Sequence, residues 1–423
     1  MKVLLRTFGC RANHYDAEQV RAMVEGAGAG VVTEGDADVA VLTSCAVTSD
    51  AEADLRQAVR RLVRDQPGIR VVVTGCASAR SPRAIAALPN VAAVIAGADL
   101  LATVEAVGLA PSPVQLRRAT RQSTARATLR VQEGCDEHCT FCATTLARGA
   151  HRSRTVEELV REAQALEEHH SEIVLTGIHV GSWGKERGAT LGSLVRALVD
   201  GTRRARFRLA SVEATEVDED LAELLRDGAD RVCPYLHAPL QSGSDRVLKR
   251  MGRHWYSARQ YARAIERLTA GRPIFGLGAD VMAGFPGETE ADHAETLALV
   301  RDLPFSHLHI FPYSARPGTS ATQLGAQVPA SLARTRASAL RTLAAAKQAA
   351  YAASRIGTDG DLVIISAPEH RGDDAAPFRR ALSEDYLEVR VMTSAPRSSR
   401  ISARFVSGTL CEARSAVSPH PAS

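Results

Sequence analysis

The sequence predicts an α/β protein in three parts: an N-terminal doubly wound parallel-sheet domain, a central partial (β/α) barrel and a small C-terminal β-barrel. Three observations support this. Apolar strand-like runs alternate with amphipathic helical segments through most of the 423 residues, which is typical of parallel sheets. A stretch rich in Pro, Ser, Thr and Arg interrupts the alternation at residues 111–126. After Gly357, short alternating strands and polar loops replace it.

Length and composition set the broad class. A chain of 423 residues is too long for one ordinary core, and we predict domains at residues 1–112, 121–352 and 355–415. The 45% hydrophobic and 24% charged residues are typical of soluble globular proteins. No apolar run is long enough to span a membrane, and the N-terminus lacks the apolar region of a signal peptide. We therefore expect a cytoplasmic protein whose eight cysteines are thiols or metal ligands.

The N-terminal region alternates strand and helix. Predicted strands are Lys2–Phe8, Ala37–Leu42, Arg70–Thr74 and Val91–Ile95, and predicted helices lie near Asp16–Glu25, Ala51–Val63 and Pro82–Leu88. One cysteine follows each of the first three strands, namely Cys10, Cys45 and Cys76. Because ligand sites in open α/β sheets lie beyond the carboxyl ends of the strands, these side chains can converge. Three unrelated buried thiols are the alternative.

The central region continues the alternation for longer. Predicted strands are Ala127–Gln132, Glu172–Thr176, Arg206–Ala210, Tyr235–His237, Phe275–Met282 and Leu308–Pro312, with helices at Val156–His169, Asp218–Asp227, Asp245–Met251, Ala258–Thr269 and Glu290–Asp302. Active sites of such barrels lie at the carboxyl ends of the strands. Polar or Gly-rich loops follow several strands there, and they contain Thr176, Gly177, Glu213 and Gln241. Several such loops on one rim favour a cofactor site, with plain tight turns as the alternative.

Three cysteines stand together after the first barrel strand. Cys135, Cys139 and Cys142 have the spacing C-x3-C-x2-C, and the aromatic Phe141 precedes the last of them. Thiolates suit iron–sulfur clusters and zinc. A four-iron cluster normally takes four thiolates, so three local ones leave one iron open to a substrate or cofactor. The alternative is a structural zinc site with His138 or His151 as the fourth ligand.

The sequence pattern changes in the C-terminal region. A long Ala-rich helix, about Pro329–Ser354, leads to predicted strands at Asp361–Ser366, Tyr386–Met392 and Ile401–Ser407. About sixty residues of this kind indicate a small β-barrel or sandwich. We expect the tail, Ser415–Ser423, to be disordered. Cys233 and Cys411 belong to no cluster motif and are predicted to be structural.

Basic residues are mostly arginine and are clustered. Among 52 Lys and Arg residues only Lys2, Lys185, Lys249 and Lys347 are lysine. The arginines concentrate in three groups: Arg117, Arg118, Arg121 and Arg126; Arg148, Arg152 and Arg154; and Arg203, Arg204, Arg206 and Arg208. Such groups can form an electrostatic footprint for nucleic acid. Solvated faces are the alternative.

The cysteine spacing, with an aromatic residue before the last cysteine, resembles the signature of radical S-adenosylmethionine (radical SAM) enzymes. Together with the three edge cysteines and the small β domain, it resembles the methylthiotransferase family over nearly the whole chain. Further matching stretches are Gly9–Asn13, Ser44–Thr48, Gly75–Cys76, Ala147–Arg154, Leu236–Asp245 and Gly284–Thr289. The C-terminal domain resembles TRAM, an RNA-binding β-barrel, best at Ala381–Val391.

This resemblance implies two [4Fe–4S] clusters. Cys135, Cys139 and Cys142 would hold the one that cleaves S-adenosyl-L-methionine, and Cys10, Cys45 and Cys76 would hold an auxiliary cluster that binds or supplies sulfur. A 5′-deoxyadenosyl radical would remove hydrogen from C2 of an adenine, where sulfur is added and then methylated by a second S-adenosylmethionine. An unactivated aromatic C–H requires chemistry of this kind from a cofactor. The expected S-adenosylmethionine contacts are Phe141, Thr176, Gly177, Glu213 and Gln241.

Two stretches bear on the substrate. Glu172–Gly184 and His307–Thr319 are most similar to the MtaB-type branch of the family, which acts on N6-threonylcarbamoyladenosine at position 37 of tRNA, next to the anticodon. The expected partners are therefore tRNA and unidentified electron and sulfur donors, with no membrane. The same chemistry on isopentenyladenosine in tRNA, or on an aspartate of a ribosomal protein, is the alternative. A non-catalytic, metal-dependent RNA-binding protein is the alternative from another class.

Overall fold

A computed structural model describes residues 1–45, 49–110, 120–228, 230–272, 274–369 and 377–414. It contains a five-stranded parallel sheet, a six-stranded partial barrel and a closed small barrel, in that order along the chain. The predicted fold class is confirmed. Most of the predicted linker and the whole tail lie outside the described residues.

The N-terminal sheet has the strand order β2-β1-β3-β4-β5, with all neighbours parallel. Its elements are β1 (Lys2–Thr7), α1 (Arg11–Gly26), β2 (Gly30–Val32), β3 (Val39–Ser44), α2 (Ser49–Asp65), β4 (Arg70–Gly75), α3 (Cys76–Arg80), α4 (Pro82–Ala86), β5 (Val91–Val94) and α5 (Leu100–Val107). Every residue of β3 is buried, because helices cover both faces of the sheet. Strand β2 and helix α5 were not predicted, and α1 begins at Arg11 instead of Asp16.

The central region forms two three-stranded parallel sheets, β10-β9-β6 and β11-β12-β13. Its elements are β6 (Ala127–Arg130), β7 (Gln132–Glu133), α6 (Thr144–Arg148), β8 (Arg152–Ser153), α7 (Val156–Glu167), β9 (Glu172–Thr176), α8 (Leu191–Gly201), β10 (Arg206–Leu209), α9 (Glu219–Asp227), β11 (Tyr235–His237), α10 (Asp245–Arg250), α11 (Ala258–Thr269), β12 (Gly276–Ala283), α12 (Glu290–Asp302), β13 (His307–Pro312) and α13 (Ala330–Ser354). Parallel bridges Phe207↔Val232 and Ser211↔His237 join the two sheets at β10 and β11. The six strands therefore curve into a partial barrel around one large core.

The C-terminal region closes into a barrel of order β14-β15-β16-β18-β17. Its strands are β14 (Asp359–Ile364), β15 (Phe378–Ser383), β16 (Glu388–Met392), β17 (Arg400–Ser407) and β18 (Leu410–Ala413). Closure removes exposed strand edges, which stabilises so small a domain. β15 and the four-residue β18 were not predicted.

The C-terminal barrel packs against the amino ends of the central strands. Arg206 in β10 donates to the backbone carbonyl of Asp361, and Arg208 donates to the carbonyls of Ser383 and Glu384. The Tyr386 ring stacks on Tyr235, with ring centroids 4.5 Å apart. These contacts fix one end of the barrel and leave its carboxyl rim facing the N-terminal domain. Across the described ranges, no helix is long and apolar enough to cross a membrane.

Candidate active site

The three edge cysteines follow three neighbouring strands, β1, β3 and β4. Cys10 is the residue before α1, Cys45 directly follows β3, and Cys76 begins α3. Gly9 has a φ of 101°, and a Cβ added there would lie 2.3 Å from the Cβ of Cys45. The loop that carries Cys10 thus passes against Cys45 only because residue 9 has no side chain. Cys45 and Cys76 are buried, whereas Cys10 is exposed.

Arg148 connects this edge to the central barrel. Its Nε lies 3.3 Å from Cys76 Sγ, and its Nη2 donates to Asn13 Oδ1 at 2.6 Å. Asn13 in turn donates to the backbone carbonyl of Ser44, next to Cys45. Burial and the charges of Cys10 and Cys45 raise the pKa of Cys76 to about 11 against the opposing effect of Arg148. Bound metal must therefore displace the proton from the Cys76 thiol.

The loop with the second cysteine set runs between β7 and α6. Its backbone is held by bonds from Cys135 N to Gly149 O and from Thr140 N to Met251 O, at 3.1 and 2.9 Å. Cys139 and Cys142 lie on either side of a tight turn in which Cys142 N donates to Cys139 O. The amide of Thr144 points at Cys142 Sγ from 3.4 Å. Backbone donors aimed at sulfur stabilise thiolate ligands.

Phe141 points away from the polar rim. Its ring packs edge-on against Phe285, with centroids 6.3 Å apart, and Phe285 packs likewise on Tyr313. These rings belong to a small apolar cluster with Val247 and Met251. The observed contacts of Phe141 anchor the cysteine loop to β12, and its predicted contact with S-adenosylmethionine stays a prediction.

Two charged side chains reach the cysteine sulfurs from the barrel rim. Arg253 Nη1 lies 3.6 Å from Cys139 Sγ, and His179 Nδ1 lies 3.7 Å from Cys135 Sγ. His179 Nε2 is also 2.8 Å from Glu216. Burial alone would lower the pKa of His179, but its hydrogen bonds to Cys135 and Glu216 raise it to about 10. A cation beside each sulfur stabilises negative charge on a thiolate or on a cluster.

Glu213 lies next to Arg253 in the same group. Its Oε1 accepts from Arg253, which also donates to the Tyr256 hydroxyl at 2.9 Å. Its Oε2 is buried and has no hydrogen-bond partner among the described residues. Gln241 Oε1 is likewise buried without a partner in the described ranges, and Gln241 has a φ of 63°, in the left-handed region. Buried unpartnered acceptors and a strained backbone are typical of a binding site.

These two orphaned acceptors fit the predicted cofactor. S-adenosylmethionine carries an amino group and ribose hydroxyls, which are the donors that suit Glu213 Oε2 and Gln241 Oε1. Thr176 ends β9 on the same rim and is buried. A Cβ at Gly177 would lie 2.9 Å from the carbonyl oxygen of Gln132, so the two loops touch only because residue 177 is glycine. The residues present therefore suit S-adenosylmethionine beside an iron–sulfur cluster.

The zinc alternative has little support in the geometry. His138 is exposed, and His151 is engaged with Gln132 and Glu186 at 2.9 Å each. Within the described residues, no three His, Cys, Asp or Glu side chains converge tightly enough to hold one metal ion. A [4Fe–4S] cluster distributes its cysteines over different iron atoms, so its ligands surround a wider space. No disulfide joins the eight cysteines, all of which lie in the described part of the chain.

Several residues of this site were missed by sequence reasoning. His179 lies in the loop T-G-I-H-V-G, and Arg148 lies in the stretch A-R-G-x-x-R-S-R, so a closer reading of those two motifs could have found both. Asn13 ends the matching stretch Gly9–Asn13 but was not singled out, whereas Arg253 lies outside every quoted motif and carries no comparable local signal. Their roles depend on contacts between segments more than a hundred residues apart, from Arg253 to Cys139 and from Asn13 to Arg148.

Comparison with known proteins agrees with this geometry. Residues 2–97 match the uncharacterized protein family UPF0004, and residues 129–300 match the radical SAM superfamily. The chain is 36% identical to the threonylcarbamoyladenosine tRNA methylthiotransferase MtaB of Bacillus subtilis, over 77% of this chain and 76% of that protein. It is 31% identical to MtaB of Aquifex aeolicus, over 92% and 96%. It is 34% identical to the tRNA-2-methylthio-N6-dimethylallyladenosine synthase of Bartonella henselae, over 88% and 87%.

Solved structures share the fold at low identity. The radical S-adenosylmethionine methyltransferase TsrM of Kitasatospora setae, with cobalamin and a [4Fe–4S] cluster bound, matches with a TM-score of 0.55, 14% identity and 76% coverage of each chain. The same enzyme with tryptophan and an S-adenosylmethionine analogue matches with a TM-score of 0.53 and 16% identity, over 73% of this chain and 72% of that one. At this identity the likeness concerns the fold alone.

The family matches, and the relatives that align with most of the chain, establish what kind of enzyme this is. S-adenosyl-L-methionine and two [4Fe–4S] clusters are its cofactors. The chain belongs to the MtaB-like methylthiotransferase family, radical SAM enzymes that modify adenosine in tRNA.

Proposed function

We propose that this enzyme adds sulfur and a methyl group to C2 of N6-threonylcarbamoyladenosine next to the tRNA anticodon. The observation that carries this choice is the similarity to relatives named for that substrate. The MtaB proteins of Bacillus subtilis and Thermotoga maritima are 36% and 34% identical over 76% and 81% of their lengths. The product would be 2-methylthio-N6-threonylcarbamoyladenosine.

The ligands follow from the two cysteine sets. Cys135, Cys139 and Cys142 would hold the cluster next to S-adenosylmethionine, and Cys10, Cys45 and Cys76 would hold the auxiliary cluster. Bound there, the clusters supply electron transfer for cleavage of S-adenosylmethionine and a site for sulfur. The protein's own contribution is to place both sets around one base and to keep water out.

Residues around the first cysteine set would orient S-adenosylmethionine. Glu213 Oε2 and Gln241 Oε1 would accept hydrogen bonds from its polar groups, since both atoms are buried without partners in the described part of the chain. Thr176 and Gly177, at the end of β9, would contact S-adenosylmethionine from the same rim. Arg253, bonded to Glu213 and beside Cys139, holds that carboxylate in place.

The outer parts of the chain would contact tRNA. The closed C-terminal barrel resembles an RNA-binding domain and carries exposed arginines, among them Arg404 and Arg414, which share one counter-charge, Asp359. Arginine suits bidentate contacts to phosphate. We assign cofactor chemistry to residues 1–112 and 121–352, and RNA affinity to residues 355–415. The electron and sulfur donors are further partners, and we place the enzyme in the cytoplasm with its tRNA.

Mass spectrometry of tRNA nucleosides tests this function. Deletion of the gene should remove 2-methylthio-N6-threonylcarbamoyladenosine and let its unthiolated precursor accumulate. Complementation with the intact gene should restore the product, and complementation with a Cys139→Ala variant should not. An unchanged set of thiolated adenosines in the deletion strain contradicts the proposal and favours a protein substrate, which methylthioaspartate would reveal.

Isopentenyladenosine in tRNA is the second candidate substrate. Relatives from Bartonella henselae and Erythrobacter litoralis, named for dimethylallyladenosine, are 34% and 33% identical over 87% of their lengths. The same mass spectrometry separates the two, because each product has its own mass. Loss of the isopentenyl product alone would select this candidate.

A further inference from the structure

A cavity of about 290 Å³ lies where all three parts of the chain meet. Cys10 and Arg11 line it from the N-terminal domain, Thr176 and His309 from the central barrel, and Tyr386 from the C-terminal barrel. Small-molecule sites usually have volumes of roughly 300–1,000 Å³, so this one suits part of a modified nucleoside. Because the proposed cluster ligand Cys10 lines it, a base bound in this cavity would lie next to the auxiliary cluster.

Positive charge dominates the N-terminal wall of this cavity. Arg11 lines it, with Nη2 donating to the Tyr386 hydroxyl at 3.0 Å. Arg11 is also the first residue of the 16-residue helix α1, whose N-terminus carries the positive end of the helix dipole. In the described structure, Cys10 provides no side-chain hydrogen bond to cap that end. Backbone N–H groups and a guanidinium together favour an anionic group.

The carboxylate on the opposite wall is already compensated. Among the described residues that line the cavity, Asp280 alone is acidic. Its Oδ2 lies 3.1 Å from His237 Nε2. Burial would raise the pKa of Asp280, but the hydrogen bond from His237 and the neighbouring histidines hold it below its ordinary value. Because Asp280 pairs with His237, no acidic residue among the described lining residues is left to balance the charge of Arg11.

His309 adds a polar group next to this pair. Its ring lies 5.6 Å from that of His237, and its Nε2 is 3.1 Å from His307 Nε2. Burial of part of the ring and the nearby His237 lower the pKa of His309, which favours the neutral imidazole. A neutral imidazole offers one donor and one acceptor nitrogen. The cavity therefore presents a cation and a hydrogen-bonding ring to whatever enters it.

We propose that Arg11 and His309 bind the carboxylate of the N6 substituent of the substrate adenosine, with Tyr386 and His237 positioning them. This inference rests on the proposed function and deepens it, because threonylcarbamoyladenosine carries a carboxylate that isopentenyladenosine lacks. An apolar substituent would remove water from Arg11 and His309 without replacing their hydrogen bonds, which is unfavourable. The same wall thus selects one substituent and rejects the other.

Binding of short anticodon stem-loop RNAs to the cluster-loaded protein tests the inference. The RNAs differ only at the target adenosine, which carries threonylcarbamoyl, its methyl ester, isopentenyl or no substituent. Binding is measured anaerobically by fluorescence anisotropy. We expect the wild-type protein to bind the free acid roughly tenfold more tightly than the ester. His309→Leu should remove most of this preference, whereas His309→Gln, which keeps a hydrogen-bond donor, should retain part of it.

His169→Leu is the matched control, because His169 is exposed and lies outside the cavity. It should keep the wild-type preference for the acid. Iron content and circular dichroism of each variant separate a lost contact from a misfolded protein. Equal preference in wild type and in correctly loaded His309→Leu overturns the inference, and so does equal binding of acid and ester by the wild type.

The outcome also separates this inference from the function on which it rests. If cells make the thiolated threonylcarbamoyladenosine while His309→Leu still prefers the acid, the function stands and this contact is wrong. If the wild type instead binds an isopentenyl stem-loop most tightly and the deletion strain loses only the isopentenyl product, the proposed function itself fails.

Discussion

Two buried glutamates at opposite ends of the central barrel differ in whether all their carboxylate oxygens have hydrogen-bond partners. Glu172 begins β9, at the amino end of the strands, where the C-terminal barrel packs. Glu213 follows β10, at the carboxyl end, beside the second cysteine set. Both are buried and both pair with arginine. Within the described residues, one has every carboxylate oxygen satisfied, and the other does not.

Glu172 is fully satisfied. Its Oε2 accepts from Arg206 at 2.6 Å and its Oε1 accepts from Arg208 at 2.7 Å, while Arg126 approaches Oε1 at 3.4 Å. Burial would raise its pKa, but these guanidinium groups hold it well below its ordinary value. The buried Cys233 lies 3.6 Å from Oε2, in agreement with the structural role predicted for it. A network this complete organises the fold and has no capacity left for a ligand.

Glu213 is only half satisfied. Arg253 binds Oε1, and no described residue is a partner for Oε2. Burial raises the pKa of Glu213 against the opposing charge of Arg253. A buried acceptor without a partner is costly to the folded state, so its presence indicates a ligand that completes it. Hydrogen-bond completeness, more than burial or charge, therefore separates a structural carboxylate from a binding one.

The largest expected effect is on cleavage of S-adenosylmethionine, at the carboxyl rim of the central barrel. Cys139→Ala should abolish formation of 5′-deoxyadenosine from S-adenosylmethionine, because two local thiolates no longer hold the cluster. Anaerobic chromatography of the reaction mixture measures it. Cys45→Ala is the matched variant on the other cysteine set, and there we expect 5′-deoxyadenosine still to form while thiolated product is lost. Unchanged 5′-deoxyadenosine from Cys139→Ala would contradict this assignment of the two sets.

The next effect is on stability, at the amino end. Glu172→Gln should destabilise the protein by about 3–5 kcal/mol, since it leaves Arg206 and Arg208 buried without a counter-charge. Because the folded pKa of Glu172 lies below the ordinary value, its contribution is present at neutral pH and is lost as pH falls through the folded pKa. Thermal unfolding measures the change.

The control for Glu172→Gln is Glu219→Gln. Glu219 pairs with Arg226 on the surface, and its side chain is 72% exposed. We expect a change of roughly 0–1 kcal/mol there. Equal unfolding temperatures for the two variants would mean that Glu172 does not hold the C-terminal barrel in place, and the contrast between the two glutamates would fail at the amino end.

The smallest effect should be at Glu213. Glu213→Gln removes the counter-charge of one buried arginine, Arg253, whereas Glu172→Gln removes that of two, so we expect less destabilisation than for Glu172→Gln. Its affinity for S-adenosylmethionine should fall roughly tenfold, since a charged hydrogen bond to the cofactor becomes neutral. Anaerobic equilibrium dialysis gives that affinity. Normal cofactor binding with a large loss of stability would make Glu213 structural, like Glu172.

Sequence patterns predicted much of the architecture and part of the site. The alternation of strands and helices identified both parallel regions, and the carboxyl-edge rule correctly placed Cys10, Cys45 and Cys76 at one edge of the N-terminal sheet. Very short strands such as Gly30–Val32 and Leu410–Ala413 were missed, because their stability comes from neighbouring strands more than from local propensity.

The family resemblance predicted more of the chemistry than the strand and helix patterns did. Cofactors and enzyme class followed from motifs with cysteines at defined spacing. The environments of those cysteines did not follow, and His179, Arg148 and Arg253 became part of the site only in the structure. Each reaches its sulfur from a different segment, so no local pattern records the contact.

Strand and helix order, cysteine spacing and the kind of metal that these ligands prefer all follow from the sequence, since local propensity and ligand chemistry act over a few residues. Which buried polar groups have all their hydrogen-bond partners depends on tertiary packing. The sequence predicted Glu172 at the start of a strand and Glu213 on the carboxyl rim, but their different hydrogen bonding arises where distant segments meet. The cavity beside Arg11, His309 and Tyr386 has the same origin, because its three walls come from three parts of the chain.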